Sequence, residues 1–149
     1  MEPIVASAEV SRRPEDVFAY ITDPSHLPEW QESVVRVKTD DSAPAGGGSR
    51  AAITRRVGPR EMDMTAEITD LDPPRSWRVR GVDGPVRGNV NGTIEPLDDG
   101  ARSRVTLELN FEGHGIGKLL VPLVVRRQVQ KELPINLQNL KERLESAAV

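Results

Sequence analysis

The stretch Arg12–Val35, RRPEDVFAYITDPSHLPEWQESVV, holds two short helical signals that meet at a proline-marked turn, directly behind a strand-like opening segment. Pro14 suits the first turn of a helix, where its missing N–H goes unused, and Glu15 and Asp16 set negative charge against the positive end of the helix dipole. Ser11 or Arg12 lies just outside that helix, and Val17, Phe18 and Ile21 give it one apolar stripe. Thr22 or Asp23 can cap a second helix opened by Pro24, while Pro28 limits it to a turn or two before Trp30. So short a helix is not stable alone in water. Leu27 and Trp30 are therefore expected to close over a sheet.

That sheet is readable on either side of the helix pair. Residues 3–10 alternate, with Ile4, Ala6 and Ala8 on one side, and Val35 and Val37 start a second strand. After the Gly-, Ala- and Ser-rich loop DDSAPAGGGSR, strands recur between turn signals. They run over Arg50–Val57, Met62–Leu71, Ser76–Val82, Val86–Leu97 and Ala101–Phe111, separated by Gly58-Pro59, Asp72-Pro73-Pro74, Asp83-Gly84-Pro85 and Asp98-Asp99-Gly100. This is an antiparallel meander of about seven strands. Period-two alternation aligns Met62, Met64, Ala66 and Ile68 with Trp77, Val79, Val90, Ile94, Val105, Leu107, Leu109 and Phe111 as one concave apolar wall. From Ile116 to about Ser146, Leu119, Leu123, Val129, Leu133, Leu137, Leu140 and Leu144 recur at helical steps. This predicts one long amphipathic helix, with Pro122 and Pro134 as bends; two shorter helices broken at Pro134 are the other reading.

Three segments in this order, VSRRPEDVFAYITDPSHLPEW (residues 10–30), ITDLDPPRSWRVRG (68–81) and GIGKLLVPLVVRRQVQKELPINLQNLKERL (115–144), resemble the START-related helix-grip superfamily (SRPBCC), in its polyketide cyclase/dehydrase-like branch. The resemblance spans nearly the whole chain. It implies an α+β helix-grip fold: a curved antiparallel sheet of about seven strands, two short helices and one long C-terminal helix, as a single domain over residues 1–149. It also implies a pocket, in a superfamily that includes lipid carriers, hormone receptors and cyclases. Fold alone does not choose among them.

Composition narrows the function classes. A chain of 149 residues without cysteine fits one domain and excludes disulfides and thiol chemistry. The N-terminus, MEPIVASAEV, carries no signal-peptide pattern and no apolar run reaches spanning length, so the expectation is a soluble, cytoplasmic protein with no membrane span. Twenty basic against 23 acidic residues argue against nucleic acid, and Arg50, Arg55, Arg56, Arg60, Arg75, Arg78, Arg80 and Arg87 are expected to pair with Glu61, Asp63 and Glu67 on a solvated sheet face. Exposed strand edges leave a homodimer open.

Five aromatics, Phe18, Tyr20, Trp30, Trp77 and Phe111, offer little bulk to plug the space between sheet and helix, which suggests a hollow center. The expected ligand-binding residues are Trp30, Met62, Met64, Trp77, Val90, Leu109, Phe111, Leu123 and Arg127, around a small hydrophobic molecule: a lipid, a polyketide-like compound or an isoprenoid. Polar side chains that could point inward are Arg55, Arg78, Asn91, Arg127 and Gln130, and an inward arginine needs an acidic partner or an acidic ligand. His26 and His114 are read as solvent-exposed loop residues, too far apart for a metal site. The paired carboxylates Asp40-Asp41 and Asp98-Asp99 fall in turns, and no cofactor motif occurs. Binding is favored over turnover. The alternative is a polyketide cyclase/aromatase or dehydrase-like enzyme, with Arg127 stabilizing an enolate and Trp77 stacking on a ring.

Overall fold

The chain enters through strand β1 (Ile4–Val10), turns through helix α1 (Pro14–Ile21), a single 3₁₀ turn (Pro24–His26) and helix α2 (Leu27–Trp30), and returns as β2 (Val34–Thr39). In this computed structural model residues 3–39 and 49–146 are described; the loop read at residues 40–48 lies outside them. Five strands follow: β3 (Ser49–Val57), β4 (Arg60–Asp72), β5 (Ser76–Asp83), β6 (Val86–Leu97) and β7 (Arg102–Gly113). They form one antiparallel sheet in the order β1-β7-β6-β5-β4-β3-β2, so the opening strand crosses over to pair with the last. The curled sheet wraps the long C-terminal helix, which matches the helix-grip expectation.

That helix is continuous through Pro134, not two helices. It begins as α3 (Gly117–Leu120), widens into one π-helical turn over Val121–Val125, and continues as α4 (Arg126–Ser146). The Arg126 N–H donates to the Val121 carbonyl, five residues back, across the turn that contains Pro122. A π turn takes up one extra residue, which shifts everything before it by roughly 100° relative to an uninterrupted α-helix.

The core lies between α4 and the concave face. Leu133, Leu137, Leu140 and Leu144 meet Val10, Val17, Phe18, Val105 and Leu107 there, all buried. Arg12 ties the two ends of the chain to this core: its guanidinium donates to the Leu144 carbonyl at 2.7 Å near the end of α4, and its own carbonyl accepts from the fully buried Ser103 hydroxyl at 2.8 Å. Asp98 and Asp99 adopt positive φ in the β6–β7 turn, so these carboxylates follow turn chemistry as read. On the outer face Arg50 pairs with Glu67, and Arg104 with Glu9 and Glu95.

The α1–α2 segment is held as a cap. The Asp23 carboxylate accepts from the Ser25 N–H at 3.0 Å, closing the 3₁₀ turn. Asn136 of α4 accepts from the Glu32 N–H at 3.1 Å. His26 is not a free loop residue: half-buried, it stacks on Tyr20 with ring centroids 4.3 Å apart and lies 3.2 Å from Glu29. The Tyr20 hydroxyl donates to Glu29 at 2.7 Å. This bond first, then His26, holds the Glu29 carboxyl below its ordinary value near 4.5. A depressed carboxyl pKa contributes stability above the unfolded value and loses it as pH falls through the folded one. Glu29→Gln should therefore melt lower than the wild type at neutral pH, with the difference closing as the pH falls from the ordinary carboxyl value through the lowered folded one. Thermal melts of both proteins across acid pH would check this, and a gap independent of pH would remove the carboxylate's role.

Candidate functional site

Between the concave face, the capping segment and the helix lies a cavity of about 190 Å³. This is far more than one water needs, so the center is hollow. Its wall is mainly apolar. Ile68, Trp77, Val79, Val90, Leu109 and Phe111 come from the sheet, and Val125, Val129 and Leu133 from the helix. Trp77 lies flat against β6 because its cross-strand partner is Gly92, and a Cβ there would come within 2.3 Å of the indole. Phe18 supports the ring edge-on at 5.9 Å.

Of the residues expected to bind a ligand, Trp30, Met64, Trp77, Val90, Leu109 and Phe111 line this space. Three do not, and each is corrected for a physical reason. Met62 shares a face with Met64 but sits nearer the β3–β4 turn, where it packs with Val57, Val86, Val121 and Val125 under the π turn and does not reach the cavity surface that Val57, Val86 and Val125 help to line. Leu123 belongs to the π turn, whose extra residue rotates it outward; it is 66% exposed. Arg127 lies two positions from both Val125 and Val129, about 200° around the helix from the wall they form, and is exposed.

Among the inward polar candidates, Arg55 alone faces the cavity. Arg78 and Asn91 sit opposite each other on the outer face of β5 and β6, both exposed, and Gln130 is exposed on α4. Arg55 donates to Gln31 Oε1 at 2.8 Å and to Ser33 Oγ at 3.1 Å. Burial pushes the guanidinium down to about 10 while the charge of Glu132 pulls it up, so it stays cationic at neutral pH. Gln128, Glu132 and Asn136 complete this polar end. The sequence reading missed them, although i, i+4, i+8 spacing beside Val125, Val129 and Leu133 places them on one helix face. Gln128 also fastens the β3–β4 turn, accepting from the Gly58 N–H at 2.9 Å and donating to the Arg56 carbonyl at 2.8 Å. The Trp30 indole N–H is buried in the capping wall without an acceptor among the described residues.

The site thus has an apolar body and one end carrying a buried cation. Among the described residues no cluster of side chains could hold a metal ion, and no helix is long and apolar enough to cross a membrane.

Comparison with known proteins fits this architecture. No functionally curated protein matches the chain. Among solved structures, TTHA0849 from Thermus thermophilus superposes with a TM-score of 0.80 at 21% identity, over 99% of each chain. The ZhuI aromatase/cyclase from Streptomyces sp. R1128 gives 0.80 at 16% identity, over 99% of this chain and 95% of its own. A START superfamily protein from Mycobacterium smegmatis gives 0.68 at 12% identity, over 99% and 97%. At these identities the likeness is one of fold. The profile of the family described as polyketide cyclase / dehydrase and lipid transport matches residues 1–145, and the chain belongs to that family.

Proposed function

We propose that the protein binds a small, largely apolar molecule carrying one polar or acidic group, with its apolar body against Trp77, Val90 and Leu109 and its polar group toward Arg55. The observation that carries this reading is a hollow apolar cavity with one cation, Arg55, among the described residues of its wall. A buried charge is costly unless something compensates it, and Arg55 has two neutral acceptors and a carboxylate acting only at longer range. A ligand carboxylate, phenolate or enolate would supply the missing counter-charge.

A second reading is turnover of a polyketide-like chain. It draws on the family and on the likeness to an aromatase/cyclase, and it gives Arg55, rather than Arg127, the place where an enolate would be stabilized. Incubation with reactive polyketide mimics, comparing wild type with Arg55→Ala, separates the two. Altered product profiles support an enzyme; identical ones leave a binder.

Native mass spectrometry before and after mild delipidation tests the first reading directly. A reproducible adduct of small-molecule mass is expected, and Leu109→Glu should abolish it while the protein remains folded. Loss of folding in Leu109→Glu, without any wild-type adduct, would mean that the space serves packing alone.

A further inference from the structure

Three of the five large apolar side chains exposed on the described surface lie on one short segment: Ile116, Leu119 and Leu123 are 53%, 65% and 66% exposed. Their spacing of three and four residues presents them as one strip at the entry to the C-terminal helix. The helix cannot roll to bury them, because its inner face is fully engaged. Gly117 packs so closely on Pro85 that a Cβ would lie 1.7 Å from the Pro85 carbonyl oxygen, and Val121 and Val125 are buried in the cluster beneath. The exposure is imposed by the packing.

The charge around this strip is one-sided. From Gly113 to Lys131 the chain carries Lys118, Arg126, Arg127 and Lys131 and no acidic residue, in a protein whose formal net charge is −3. Lys118, Arg127 and Lys131 are exposed and Arg126 is half-buried. On the sheet face Arg102 is paired with Glu9 and Asp98, and Arg104 with Glu9 and Glu95, while Arg56, Arg60 and Arg80, without an ion pair among the described residues, stand on or beside strands that carry acidic residues. Among the described residues the four helix cations have no such ion pair. Glu112, the nearest preceding acid, lies toward His114 at 3.9 Å.

We infer that this segment docks the protein on an anionic lipid bilayer. Ile116, Leu119 and Leu123 enter the boundary between headgroups and acyl chains, while Lys118 and Arg127 extend their charges to the phosphates. The strip is aliphatic, projects outward and is flanked by cations with no acidic residue between Gly113 and Lys131, a combination that complements a surface of acyl chains beneath phosphates. So small a strip gives reversible attachment. Docking would also bring one end of the cavity toward the bilayer, since Val125 lines it from the inner side of the π turn. The inference stands on the surface residues and holds whether or not the cavity takes a ligand.

The test is flotation of the whole protein with vesicles of phosphatidylcholine, with and without phosphatidylglycerol. Binding to the anionic vesicles is expected to exceed binding to neutral ones by about tenfold and to fall severalfold in high salt. Leu119→Ser combined with Leu123→Ser should weaken it by about tenfold or more, and Lys118→Glu combined with Arg127→Glu should abolish the anionic preference. All four positions are exposed, so circular dichroism should show an unchanged fold. Equal binding to both vesicle types, or binding indifferent to both variant pairs, overturns the inference. So does a dimer in sedimentation velocity that dissolves on Leu119→Ser, which would make the strip a contact between copies.

Discussion

Arg55→Met is expected to raise the unfolding midpoint by about 2–4 °C, roughly 1 kcal/mol, while removing any preference of the cavity for acidic ligands. Burial holds the guanidinium near 10, well below its ordinary value, with Glu132 opposing the shift. A cation whose folded pKa is depressed costs stability at every pH below the folded value, and that cost fades only as pH rises from about 10 toward the ordinary guanidinium value. At neutral pH the full penalty is present. Methionine keeps much of the length and removes the charge; what is lost is the pair of bonds to Gln31 and Ser33, each worth about 1 kcal/mol net. Both acceptors face a cavity into which water can reach, and the side chain is only half-buried in surface terms, so the gain stays below the full shift. Urea and thermal unfolding of the ligand-free protein, with adduct profiles from native mass spectrometry, measure both halves. A lower midpoint in Arg55→Met would show that the arginine supports the fold, and would take away the main argument for an acidic group on the ligand.

Gly92→Ala is expected to cost about 1–3 kcal/mol and to suppress ligand uptake. The new Cβ would stand 2.3–2.5 Å from three atoms of the Trp77 indole. Trp77 is 3% exposed and has Phe18 at its edge, so the ring's room to retreat is the cavity it lines. One methyl group on β6 thus becomes an indole displaced into the binding space. Tryptophan fluorescence and urea unfolding would report the displacement, and native mass spectrometry the uptake. A variant with wild-type stability and adducts would mean that the indole is free to adapt, and that it does not set the shape of the site.

Strands were legible because alternation and turn residues are local signals. The Val86–Leu97 strand has the limits its sequence suggested, and the proline and glycine turns fall where expected. The wall was legible to the same degree, since period two tells which way Met64, Val90 and Leu109 face. Alternation is silent about where along a face the hollow ends. Met62 and Met64 share one face and differ in fate because the π turn and α3 press on the sheet at one end. Helical residues fared worse. The π turn changes the count for Leu123, which precedes α4, whereas Arg127 lies within α4 about 200° from Val129, so its outward position was already in the helical count. The same counting, applied to polar positions, would have found Gln128, Glu132 and Asn136.

The amino-acid sequence by itself determined the element order, the antiparallel meander, the amphipathic final helix and the cap opened by Pro14 and Pro24, because each rests on contacts and propensities between near neighbors. Only the tertiary structure decided that the space between sheet and helix is hollow, that Arg55 is the cation in its wall, and that three aliphatic side chains are left on the surface at the helix entry. Those outcomes depend on the phase of one helix against a sheet, set by Gly117 on Pro85 and by a single widened turn, and such long-range packing leaves no periodic trace in the chain.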